Sequence, residues 1–133
     1  MIAAEFSAKM NKRPVSVTII ACLYLLVGAF GFAYHLTEFK AQHPFQYDIV
    51  WTELTESLAI LCGAFMLRGH NWARWLAVAW MAFHVILSAF HSWFGVVVHA
   101  LLCAAFAYFL FRVQATQFFR AAGAHGGEVG PTG

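Results

Sequence analysis

Two glutamates three residues apart, Glu53 and Glu56, and four histidines, His35, His84, His91 and His99, stand inside otherwise apolar stretches of this chain. Carboxylates and imidazoles exchange protons and ligate transition metals. In the middle of a lipid-spanning segment an ionised side chain costs on the order of 3 kcal/mol, so each of these residues needs a reason to be there. Helical spacing groups them. Glu53, Glu56 and Ser57 share one face, three and four residues apart. His84 and His91, seven apart, point within roughly 20° of each other, with Trp80 and Ser88 on the same stripe. His99 lies one turn from Gly95 and one from Cys103, and Tyr24, Gly28, Gly31 and His35 form a further stripe. Lipid disfavours polar and small-residue sides, so these stripes are expected to face inward and meet.

Depth divides the set. Counted inward at about 1.5 Å per residue, Glu56, His84 and His99 each lie on the order of 10 Å below the same, extracytoplasmic surface. His35, Glu53 and His91 form an outer, wetter layer. Three chemistries fit the inner layer. Two imidazoles and a carboxylate can hold a transition-metal ion, although H-E-x-x-H is absent and His84 and His91 are not an i, i+4 pair. The same groups can relay protons, Glu56 exchanging with neighbouring imidazoles. A haem between His84 or His91 and His99 is chemically feasible, but nothing else marks a haem protein. Beside these stands the plain structural reading, in which Glu56 hydrogen-bonds His84 or His99 to join helices, at about 0.6 kcal/mol per contact. His70, in a turn beside Arg68 and Arg74, reads as solvated or in contact with lipid headgroups, and His43 and His125 as loop and tail residues.

The elements that must position these side chains follow from composition. The 133 residues are 62% hydrophobic and 11% charged, against about half and a quarter in soluble domains. Apolar runs over about 14–36, 49–67, 72–90 and 93–111 are each of the order of 20 residues, enough to cross a bilayer. Their length and lack of alternation exclude strands. A cleaved signal peptide is the rival for the first run, whose apolar stretch is too long for one. Thr37–Asp48, with Pro44, reads as a polar loop, Arg68–Asn71 as a turn, and the break at 91–95 as a tight hairpin. Residues 1–13 read as a basic leading segment, in which Met10 is an alternative start, and 113–133 as a polar tail, disordered from Gly123.

Charge sets the orientation. Lys9, Lys12, Arg13, Arg68, Arg74, Arg112 and Arg120 fall on one side of the four spans and only Lys40 on the other. Basic flanks stay in the cytoplasm, which places both termini there. The fold class is therefore all-α: an integral membrane, antiparallel, up-down-up-down four-helix bundle. Trp51, Trp72 and Trp93 near span ends suit the interfacial belt.

Other functions are excluded or weakened. The formal charge of +2 implies no nucleic-acid partner. Cys22, Cys62 and Cys103 are isolated and odd in number, which argues for packing and against paired-thiol oxidoreductase chemistry. Phosphate-cradling glycine loops, nucleophile elbows and a soluble catalytic domain are all absent, which leaves an enzyme reading weak. Arg13-Pro14-Val15-Ser16-Val17-Thr18, Leu23-Tyr24-Leu25-Leu26-Val27-Gly28 and Asn71-Trp72-Ala73-Arg74-Trp75-Leu76 resemble small uncharacterised bacterial four-helix inner-membrane proteins. The resemblance covers the first span and the second turn, and implies a bacterial inner membrane and no particular activity. Small multidrug transporters share the size, but their essential carboxylate lies in the first span, and this first span has none. The expectation is a multi-pass protein with a Glu56–His84–His99 site open to the extracytoplasmic side, for a metal ion or for protons. The alternative is a non-catalytic accessory subunit packed against another membrane protein or a second copy of itself.

Overall fold

The computed structural model describes residues 2, 12–41 and 47–126. Five long helices follow in order: α1 (Val15–Ala41), α2 (Tyr47–Leu67), α3 (Asn71–Ala89), α4 (Trp93–Phe111) and α5 (Val113–Gly126). The first four contain windows long and apolar enough to cross a membrane, at Val15–Thr37, Val50–Leu67, Asn71–Ala89 and Trp93–Phe111. The chain is accordingly a multi-pass membrane protein built as a helix bundle, with a lipid bilayer as its surroundings. Trp51, Trp72 and Trp93 are all exposed near helix ends.

The turns are made by local chemistry. After α2, Gly69 adopts φ +80, a conformation that costs a residue with a Cβ. Its N–H bonds Met66 O and that of His70 bonds Phe65 O, each at 3.0 Å, the paired closure that satisfies the last carbonyls of a helix. Between α3 and α4, Ser92 Oγ accepts the Gly95 N–H at 3.0 Å and caps α4.

Packing is uneven along the bundle. One buried cluster joins Val17, Ile20, Ala21 and Tyr24 of α1, Ala59, Cys62 and Met66 of α2, Ala73 and Ala77 of α3, Leu110 of α4 and Ala115, Phe118 and Phe119 of α5. These residues come from the first halves of α1 and α3 and the second halves of α2 and α4, so the dense core occupies one end. α1 packs closely along α2 and α3 along α4, whereas α1 and α4 barely meet. Gly28 and Gly63 permit the first of these approaches. A Cβ on Gly28 would lie 2.9 Å from Glu56 O, and one on Gly63 would lie 2.7 Å from Ala21 O. Small residues are what let helix backbones draw together in lipid.

The end of the chain departs from expectation. In place of a tail disordered from Gly123, helix α5 runs to Gly126. Ala115, Phe118 and Phe119 are buried while Gln114, Gln117 and Arg120 are exposed, so an apolar face at i, i+3 and i+4 docks on the bundle. Helix α1 likewise runs on to Ala41, through part of the loop expected at 37–48. Lys9, Met10, His43, Pro44 and residues 127–133 lie outside the described residues, as do the side chains of Lys40 and His125. Of the three cysteines, expected as buried packing residues, only Cys62 is buried, while Cys22 is exposed and Cys103 half-buried.

Candidate functional site

Bordering the dense core, residues of all four spans line a cavity of about 420 Å³. Its lining includes Tyr24 of α1, Glu56 of α2, Trp80 and His84 of α3, and His99 and Phe106 of α4. The three residues singled out by depth and helical phase therefore share one internal space. Each helix supplies at least one member of its polar stripe to the lining, in keeping with the cost of exposing these groups to lipid. Helix α4 makes the point most sharply. Only 6% of its spanning window is buried inside the protein, yet His99 lies on the cavity side.

Glu56 is set down on a glycine. A Cβ at Gly31 would lie 2.5 Å from the Glu56 carboxyl carbon, so the missing side chain makes the space that the carboxylate occupies. Glu56 Oε2 is buried and has no hydrogen-bond partner among the described residues. His35 and Glu53 are near enough to act on Glu56 electrostatically. An unmet buried acceptor costs about 1–3 kcal/mol or more, so natural structures hold few of them.

Both imidazoles have a defined tautomer in their neutral form. His84 Nδ1 lies 2.9 Å from Trp80 O, and His99 Nδ1 lies 2.8 Å from Gly95 O. A carbonyl only accepts, so each Nδ1 carries the hydrogen and each Nε2 keeps its lone pair. Ser88 links the His99 ring to the backbone of His84. Its Oγ donates to His84 O at 2.8 Å and lies 2.9 Å from His99 Nδ1, from which it accepts. The two rings stand 6.2 Å apart, centroid to centroid.

The aromatic donors are committed elsewhere. Tyr24 Oη donates to Ala77 O at 2.6 Å, and Trp80 Nε1 donates to Thr55 O at 2.9 Å. These bonds join α1 to α3 and α3 to α2. They also fix a run of rings along the cavity, with Phe106 5.8 Å from Tyr24, Tyr24 5.3 Å from Trp80 and Trp80 3.9 Å from His84. With every N–H and O–H of Tyr24, Trp80, His84 and His99 spent on a backbone carbonyl or on Ser88, the polar atoms left to a guest are acceptors: a Glu56 oxygen and the Nε2 atoms of His84 and His99.

Two expectations need correction. Among the described residues no three His, Cys, Asp or Glu side chains gather closely enough to hold a metal ion. Glu56, His84 and His99 line one cavity without gathering as a ligand triad, so the metal reading lacks a ligand set. The outer layer also does not form as a unit. His91 is exposed, with Nδ1 2.9 Å from Leu87 O of its own helix. Both Glu53 oxygens are buried and without a partner among the described residues, where a wetter position was expected. His35 packs edge-on to Tyr34 at 5.3 Å and stays within electrostatic reach of Glu56.

The opening of the cavity also differs from the extracytoplasmic mouth expected. The exposed residues of the lining, Leu23 and Val27 of α1 and Leu102 of α4, stand near the middle of their spans and flank the gap where α1 and α4 barely meet. Tyr24 and Trp80 were legible as members of the polar stripes, though not as spent donors. Met81 and Phe106, which complete the wall, are ordinary apolar residues with no sequence signal. No protein-family model matches the chain, and neither a curated protein nor a solved structure matches it.

Proposed function

We propose that this chain is a multi-pass protein of the bacterial inner membrane in which Glu56, His84 and His99 bind and pass on protons within the bilayer. Its four spans run antiparallel, up-down-up-down, with both termini in the cytoplasm. Core residues drawn from alternate halves of successive helices support that arrangement. So does the gathering of basic residues at the dense end, where Arg13 Nη1 donates to Leu67 O at 2.8 Å and Arg74 Nη1 lies 3.4 Å from Leu110 O. Retention of basic flanks on the cytoplasmic side then orients the bundle.

One observation carries the proton reading: three titratable side chains line a single cavity in which the neighbouring donors are already committed. A proton entering this space meets only groups that can receive it. Glu56 and the neutral imidazoles each offer a lone pair, the polar partners that a connecting water would need in an otherwise apolar wall. Bonds from His84 Nδ1 to Trp80 O and from His99 Nδ1 to Gly95 O and Ser88 Oγ fix the two rings with the hydrogen on Nδ1, which leaves Nε2 of each as the atom that takes and releases the proton.

The test is proton flux into proteoliposomes under an imposed pH gradient. Flux should rise with protein content and fall at least about tenfold in Glu56→Gln, which keeps the shape and removes the exchangeable carboxyl proton. Flux undiminished in Glu56→Gln would overturn the reading. Stable co-purification with another membrane protein, combined with a silent Glu56→Gln, would favour an accessory subunit instead.

A further inference from the structure

The mouth and the lining together select a class of guest. Entry lies between α1 and α4, flanked by Leu23, Val27 and Leu102 near the middle of their spans. At that depth a guest arrives from the acyl chains and not from water. The volume of about 420 Å³ falls within the range of small-molecule sites, roughly 300–1,000 Å³. Most of the wall is apolar or aromatic, and the free polar atoms are all acceptors, one of them on a carboxylate. An acceptor-rich guest such as a quinone would find no free donor on Tyr24, Trp80, His84 or His99, since all are spent. A bare inorganic cation would find no converging ligand set among the described residues. What remains complementary is a positive charge that carries N–H donors on an apolar body. Aromatic faces add attraction for such a charge, and Tyr24, Trp80 and Phe106 present three.

We infer that the cavity binds a lipid-soluble organic ammonium ion, a protonated primary amine on an apolar body, which enters sideways from the bilayer between α1 and α4. The inference rests on the proposed role of Glu56 as the group that gives up and takes back a proton. The ammonium sits against the ionised carboxylate and directs N–H groups to it, with the aromatic faces of Tyr24, Trp80 and Phe106 beside the charge. Protonation of Glu56 removes the countercharge and releases it. Proton and amine thus compete for one carboxylate, and each bound amine displaces one proton.

Calorimetric titration of the full chain in detergent provides the test, with three probes of nearly equal shape: 2-phenylethylamine, its N,N,N-trimethyl derivative and 2-phenylethanol. The primary amine should saturate at one per chain and bind at least about tenfold more tightly than the alcohol. The trimethyl ion keeps the charge and loses the donors, and should fall between them. Glu56→Gln should weaken amine binding by a similar factor. Leu102→Trp, which narrows the mouth without touching the carboxylate, should slow association and serves should Glu56→Gln not fold. Equal binding of amine and alcohol, or amine binding unchanged in both variants, would overturn the inference. Glu56-dependent proton flux without amine binding would overturn the amine and leave the proton relay standing. Glu56-dependent amine binding without flux would do the reverse.

Discussion

The two ends of this bundle each bury a charged side chain, and they treat it in opposite ways. Arg74 is almost wholly enclosed. Its Nη1 lies 3.1 Å from Thr116 Oγ1 and 3.4 Å from Leu110 O, and its guanidinium stands 4.7 Å from the Phe111 ring and 5.2 Å from the Phe119 ring. Helix α5 supplies Thr116 and Phe119, so the fifth helix closes over the arginine that joins it to α3 and α4. Glu56, at the other end, rests on a glycine beside a cavity with Oε2 unpartnered. Arg74 Nε is itself buried without a hydrogen-bond partner among the described residues, but the Nη1 bonds and ring contacts tie α3, α4 and α5 together. A carboxylate oxygen left without a hydrogen-bond partner beside a cavity keeps its capacity to bind something else, and the contrast separates scaffold from site within one small protein.

That contrast can be broken by mutation, and the largest effect should come from the enclosed arginine. Arg74→Ala removes two aromatic contacts and the hydrogen bonds to Thr116 and Leu110, leaves a void, and should cost on the order of 3 kcal/mol. Thermal unfolding in detergent would register it, together with increased proteolysis of α5. Next come the glycines of the α1–α2 contact. Gly28→Ala and Gly63→Ala each drive a methyl group against backbone and should cost about 1–3 kcal/mol. Gly31→Ala meets only the movable end of Glu56, so it should cost less while shifting the carboxylate and lowering proton flux. Tyr24→Phe removes one bond, to a helical carbonyl that keeps its own N–H partner, and should cost about 1 kcal/mol. The smallest change is expected from Glu56→Gln. Its stability should match that of the parent protein within about 0.5 kcal/mol, because Oε2 has no partner to lose. A large destabilisation by Glu56→Gln would erase the distinction between the two ends.

The sequence carried the spans and the inward stripes plainly, for a physical reason. In lipid, length and apolarity alone mark a crossing helix, and the penalty for exposing a charge leaves Glu56, His84 and His99 few directions to face. The rest depended on packing. The buried positions of α5, Ala115, Phe118 and Phe119, are diluted by Gln114, Thr116, Gln117 and Arg120 and read as an ordinary polar tail. Arg74 counted as one more basic flank, since its burial depends on that helix returning to cover it. The sideways mouth depends on how loosely α1 and α4 meet, a property of neither helix alone. The state of the donors was equally hidden, because Tyr24 and Trp80 spend theirs on carbonyls of other helices.

Infrared difference spectroscopy of the purified protein between acid and alkaline pH tests the proton site at its source. The protonated-carboxyl band that appears on acidification in the parent protein should contain one component that is missing in Glu56→Gln and shifted in Gly31→Ala, where the carboxylate must move. An identical carboxyl signal in the parent and in Glu56→Gln would show that Glu56 exchanges no proton, and would contradict the account.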